Sequence, residues 1–205
     1  MPATPVPNPA YPLREKRKEK TRTALTKAAE ELIFEVGFEE MTLDQVAERA
    51  EVHVQTLYRH FPTKLSILVH INEGVVQELE QLLASRDEGV TTFAVWRDMV
   101  KKYATITENG RAPYSPSGPA ALAFQMVQDR YILALSKGLA EDMGITGRKD
   151  RRPFLIACML KQANDIEAVR WGAEGRKGKL KTRLLRVADE VVDFCGELGA
   201  QGKPG

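Results

Sequence analysis

Apolar side chains recur every three or four residues along most of the chain, with no sustained apolar/polar alternation and no Asn-Gly or Asp-Gly hairpin turn. That pattern predicts helices throughout and an all-α fold. Leu25, Ala28, Ala29, Leu32 and Ile33 mark one face of a first helix from about Arg14 to Val36, and Gly37 follows where a left-handed C-terminal cap is expected. A second helix opens at "TLDQ": the Thr42 hydroxyl faces the amide three residues on and Gln45 reaches back, a capping-box pattern. Leu43, Val46, Ala47 and Ala50 form its buried side. The stretch "HVQTLYRHFPTK" makes a third helix that stops before Pro62. Leu57 and Phe61 share a face there and point into a core, which leaves Val54, Gln55, Tyr58 and Arg59 outward. Longer helices are expected over about Lys64–Ser85, Thr91–Glu108, Pro119–Asp142, Pro153–Ala173 and Leu180–Leu198, separated by "NGRAPYSPSGP", "GITGRKDRRP" and "EGRKGK". The leader, residues 1–13, is Pro-rich and expected to be disordered, and residues 200–205 are expected to fray.

Charge sharpens this division. The net charge of +2 says little, but its distribution is uneven. Arg14, Lys16, Arg17, Lys18, Lys20, Arg22 and Lys27 face only Glu15 and Glu19 over the first basic stretch; acids then dominate from Glu30 to Glu51, and no acid occurs between Val52 and Leu68. A basic edge on a small helical unit is an electrostatic footprint for phosphates. The hydrophobic fraction of 43% and charged fraction of 28% are those of an ordinary globular protein. With no apolar run near the roughly 18 residues of a membrane span and no signal-peptide pattern, a cytoplasmic protein is expected, with no membrane partner. Cys158 and Cys195 give neither a disulfide framework nor a metal spacing. No nucleophile motif, Gly-rich phosphate loop or HExxH occurs, and His53, His60 and His70 have no zinc-site spacing, so neither an enzyme, a metal nor a cofactor is expected.

Two short helices joined by a tight turn, the second with a polar and basic outer face, describe a helix-turn-helix DNA reader. The segment Ala24–Leu68, "ALTKAAEELIFEVGFEEMTLDQVAERAEVHVQTLYRHFPTKLSIL", resembles the N-terminal DNA-binding domain of the TetR (TetR/AcrR-like) family of transcriptional regulators, most specifically in "TLYRHFPTK" with "GFEEMT" upstream. The resemblance implies a helix-turn-helix DNA-binding domain over 14–63 and a ligand-binding and dimerisation domain over 64–199. It implies a homodimer on a double-stranded palindromic operator, with Val54, Gln55 and Arg59 toward base edges. Thr42, His53, Thr56, Tyr58, His60 and Lys64 would contact phosphates or sugars, and a basic arm of Lys16, Arg17, Lys18, Lys20 and Arg22 would reach the backbone or adjacent minor groove. Two positions depart from the family pattern. The usual Gly-Val-Ser turn reads Glu51-Val52-His53, which places a side chain where glycine eases the turn and a weak cap where serine is common.

For the larger part, the resemblance implies a small-molecule pocket and dimerisation through the last two helices. Pocket candidates are Trp96, Met99, Tyr103, Phe124, Gln125, Gln128, Tyr131, Met159, Gln162, Asn164 and Trp171, whose neutral character suits a small apolar or weakly polar effector. Dimer candidates are Leu155, Ile166, Val169, Leu184, Val187, Val191 and Phe194, each equally compatible with the subunit's own core. The expected function is a repressor released from its operator by that effector. The rival reading is an effector-independent architectural or nucleoid-associated DNA binder, which would have a closed, fully packed core where a sensor has a cavity of several hundred cubic ångströms.

Overall fold

A computed structural model describes residues 12–109, 119–146 and 149–201. The described residues form eight helices: α1 Pro12–Val36, α2 Leu43–Arg49, α3 Val54–His60, α4 Lys64–Ala84, α5 Thr92–Asn109, α6 Pro119–Asp142, α7 Arg152–Ala173 and α8 Leu180–Gln201. No strand occurs among them. Residues 1–11 of the expected leader and 202–205 of the expected tail lie outside the described residues.

The local signals act as the chemistry requires. Gly37 closes α1 with φ +90° and donates its N–H to the Ile33 carbonyl at 3.0 Å. At α2 both halves of the capping box form: Gln45 N–H donates to Thr42 Oγ1 at 3.2 Å, and Thr42 N–H donates to Gln45 Oε1 at 2.9 Å. A second box that the sequence reading did not single out opens α4, where Ser66 N–H donates to Thr63 Oγ1 at 3.1 Å and Thr63 N–H to Ser66 Oγ at 3.2 Å. Each satisfies two amides that the helix itself leaves unpaired.

Two apolar clusters result. The smaller one gathers Leu25, Ala29 and Leu32 of α1, Phe38, Met41, Val46, Leu57 and Phe61 around Ile67 and Leu68 of α4. The larger one gathers α5–α8 around Val76, Leu79 and Leu83, further along the same α4. Helix α4 therefore carries core residues of both clusters, as does α6 through Ala123 and Val127, and the two tie the clusters' positions together. Burying Leu57 completely contributes about 1.5–3 kcal/mol and fixes which face α3 turns outward.

Polar bolts lock the larger cluster. Trp96 Nε1–H donates to Asn164 Oδ1 at 2.9 Å, and Asn164 Nδ2 donates to the Leu184 carbonyl at 2.9 Å, joining α5, α7 and α8 inside the core. Arg86 donates to Thr92 Oγ1 at 2.6 Å and pairs with Asp142 at 2.9 Å, while Asp142 accepts the Thr92 N–H at 2.6 Å. This network packs against Gly138 of α6, where a Cβ would stand 2.5 Å from Thr92 Oγ1.

Candidate nucleic-acid interface and adjoining cavity

The turn between α2 and α3 is a Schellman motif. Val52 N–H donates to the Ala47 carbonyl at 2.9 Å and Glu51 N–H to the Glu48 carbonyl at 3.0 Å. The motif needs a left-handed residue, and Glu51 supplies it with φ +54°. The departure seen in the sequence thus leaves the turn intact at a conformational cost that glycine would not carry. His53 precedes α3 in cap position without a side-chain cap bond, so the first amides of that helix remain open.

Burial of Leu57 and Phe61 presents the opposite side of α3 to solvent. Gln55, Tyr58 and Arg59 are exposed, and neither Gln55 nor Arg59 has a hydrogen bond or ion pair among the described residues. Val54 is half-buried and packs partly against the smaller cluster; Thr56 and His60 are half-buried; Thr42 and His53 are exposed. Lys64 is already engaged: its Nζ donates to the Glu39 carbonyl at 2.8 Å and sits 4.8 Å from the Phe38 ring centre. One ammonium donor thus braces the loop before α2.

The basic residues expected as an arm are helical. Lys16, Arg17, Lys18 and Lys20 are exposed on the first turns of α1, and Arg22 is half-buried with its guanidinium 5.5 Å from the Phe61 ring centre. Burial first, then the charges of Arg22, Lys18 and Arg59, lowers the His60 pKa below its ordinary value. The same charges show that the start of α1 and the end of α3 share one positive field, the field a phosphate backbone requires.

Behind this face lies a cavity of about 770 Å³. Five of the sequence candidates line it: Trp96, Met99, Tyr103, Phe124 and Tyr131. The others do not, each for a visible reason. Gln125 and Gln162 are exposed, and Gln128 donates to Gln162 along the α6–α7 surface. Met159 packs against the larger cluster, and Asn164 is consumed by its two hydrogen bonds. Trp171 is buried, donates its Nε1–H to the Gly178 carbonyl at 2.9 Å, and carries the Arg176 guanidinium 4.8 Å from its ring centre, so it pins the α7–α8 turn.

Sequence reasoning missed the wall supplied by α1, where Glu30, Ile33 and Phe34 share a face, and the α4 wall of Leu68, Ile71, Asn72 and Val75. It also missed Lys161, a buried lysine whose ammonium pairs with Asp165 and lies 5.0 Å from the Tyr131 ring centre. The Tyr131 phenol is pushed well above its ordinary pKa by burial and by Asp165, so it stays a neutral hydrogen-bonding group.

Residues 25–71 match the family model described as "Bacterial regulatory proteins, tetR family". Over that segment, which holds α2 and α3, the chain is similar to the TetR family. The HTH-type transcriptional regulator TcmR of Streptomyces glaucescens is 38% identical over 72 residues, which are 33% of this chain and 32% of that protein. The chain thus spans about a third of that relative's length. Among solved structures, Thermus thermophilus FadR, a TetR-family repressor in complex with lauroyl-CoA, aligns over 83% of this chain and 93% of its own, with 22% identity and a TM-score of 0.54. The SmeT–triclosan complex aligns over 85% and 90%, with 21% identity and a TM-score of 0.56. These share the all-α fold, and the residues matched by the family model contain α2 and α3.

The dimer candidates separate into two groups. Leu155 and Ile166 on α7 and Phe194 on α8 are about half exposed, as the apolar face of an interface would be. Val169 and Val187 are half-buried. Leu184 and Val191 are instead buried in the subunit's own larger cluster, because they lie on the side of α8 that meets α5 and α7.

Proposed function

We propose that the chain is a homodimeric repressor that binds a palindromic operator through α3 and leaves it when a small molecule occupies the cavity. The observation that carries this reading is the outward face of α3: Gln55 and Arg59 stand exposed and unpaired beside a positive field shared with α1. In a major groove about 12 Å wide, Arg59 suits a guanine edge and Gln55 an adenine edge, each good pair contributing about 1–3 kcal/mol of discrimination. Val54 contributes an apolar edge. Thr42, His53, Thr56, Tyr58, His60 and the remaining donors of Lys64 hold the backbone, with Lys16, Arg17, Lys18, Lys20 and Arg22 reinforcing it from α1. Residues 14–63 act as the reader and 64–199 as the sensing and dimerising part, with Leu155, Ile166 and Phe194 meeting their copies in a partner.

A cavity of about 770 Å³ favours a sensor over an architectural DNA binder, since it lies within the range of small-molecule sites and its walls include α1 of the reader itself. FadR with lauroyl-CoA and SmeT with triclosan support the same reading by analogy. A bound effector works only through its preference for one arrangement of α1 against α4 and α5. The test is selection of binding sites from a random duplex library. A palindrome whose two half-sites lie about 34–36 Å apart supports the reading; loss of every sequence preference sinks it.

A further inference from the structure

The cavity is apolar along most of its wall, yet its charges are not balanced. Of the two lysines that line it, Lys102 pairs with Glu78 at 2.6 Å and Lys161 pairs with Asp165. Glu35 is likewise taken, by Arg49 of α2 at 2.7 Å. Glu31 has only the distant, exposed Lys27 at 4.0 Å. Glu30 has no ion pair among the described residues, although it lines the cavity on the same helical face as Ile33 and Phe34. Its carboxyl, on an exposed residue, has a pKa raised first by desolvation and then by the neighbouring Glu31, with the Lys102 charge acting the other way.

A second observation points to a ligand independently. Asn72 is 4% exposed and lines the same cavity, and its Nδ2 is buried without a hydrogen-bond partner. A buried amide donor left unpaired costs stability unless something fills the space with an acceptor.

On the reading of the cavity as an effector site, we propose that it takes an amphiphilic organic cation, the apolar body lying between α4, α5 and α6 and the cationic head resting at Glu30. The exposed Phe34 ring, one turn from Glu30, presents a π face that suits an alkylammonium or a delocalised aromatic cation, whereas the Tyr103 ring already carries the Lys102 ammonium 5.1 Å from its centre. An ether, carbonyl or hydroxyl oxygen on the body accepts from Asn72 Nδ2 once that amide, which has almost no accessible surface in this arrangement, turns toward the cavity. An anionic head meets Glu30 and Glu31 without a free lysine to receive it, so the site discriminates by charge. Glu30 stands on α1, so the ligand's head touches the helix whose other face holds Leu25, Ala29 and Leu32 in the reader core.

The test uses three probes with one decyl body and different heads: decyltrimethylammonium, 1-decanol and decanoate. Binding to the full chain is read by calorimetry below their aggregation limits, with Trp96 emission reporting entry into the cavity. The expected order of affinity is cation, then alcohol, then carboxylate. Glu30→Gln weakens the cation about fivefold and leaves the alcohol unchanged, whereas Glu88→Gln, on the exposed α4–α5 loop, changes neither. Equal or tighter binding of decanol or decanoate, or a cation affinity unmoved by Glu30→Gln, overturns the cation assignment and leaves the effector reading standing. The effector reading itself fails separately, if a ligand shown to occupy the cavity leaves DNA affinity unchanged.

Discussion

Glu51 shows how a single residue records both fold and function. Its φ of +54° completes the Schellman turn that aims α3, and an L side chain in that region costs on the order of 1 kcal/mol relative to glycine. Glu51→Gly is therefore expected to raise the thermal midpoint by roughly 2–4 °C, measured by calorimetry, without altering the DNA sequence selected. His53→Ser adds a cap hydroxyl to α3 and should stabilise by about 0.5–2 kcal/mol in denaturant titration. His60 carries a pH dependence of definite sign. Its folded pKa lies below the unfolded value of about 6.5, so its contribution is intact above that pH and is lost as pH falls toward the folded pKa. Unfolding free energies measured from pH 7 to pH 5 should fall less steeply in His60→Gln than in the wild type. At the DNA, Arg59→Ala should cost about 1–3 kcal/mol and relax preference at one symmetric base pair, whereas Tyr58→Phe should weaken all sequences alike in salt-dependent binding assays.

At the scale of helices, close approach decides more than composition. Gly138 of α6 lets the Thr92 end of α5 come within contact, with Thr92 held in turn by Arg86 and Asp142. Gly138→Ala forces that network apart and should destabilise by about 1–3 kcal/mol in denaturant titration, despite alanine's better helix propensity. Much of this level was legible in the chain. The α2 capping box, the Gly37 cap and the Pro119–Asp142 helix follow from local chemistry, and the observed elements obey it. The α1 wall of the cavity was not legible. Leu25, Ala28, Ala29 and Leu32 make one periodic face, but whether Glu30 and Phe34 meet water or a cavity depends on where α4 and α5 pass, which no local period encodes. Lys161 escaped notice for a related reason: with Asp165 four residues on, it reads as an ordinary surface pair. Leu184 and Val191 read as interface or core alike until α5 was seen to cover them.

In the whole molecule, α4 carries core residues of both clusters, while α1 is at once the support of the reader and a wall of the cavity. A molecule entering the cavity thus meets the reader directly, and the Glu35–Arg49 pair continues the contact from α1 to α2. In the proposed dimer, that geometry would give differential binding a route to the spacing of the two α3 helices. The central claim, that the α3 face of a homodimer reads a specific duplex, is tested most directly by selecting sites from a random DNA library with the wild type and with Arg59→Ala in parallel. The account predicts a palindrome with half-site centres about 34–36 Å apart for the wild type, and the same palindrome degraded at one symmetric base pair for the variant. An enriched motif unchanged by Arg59→Ala, or no enriched motif at all, would contradict it.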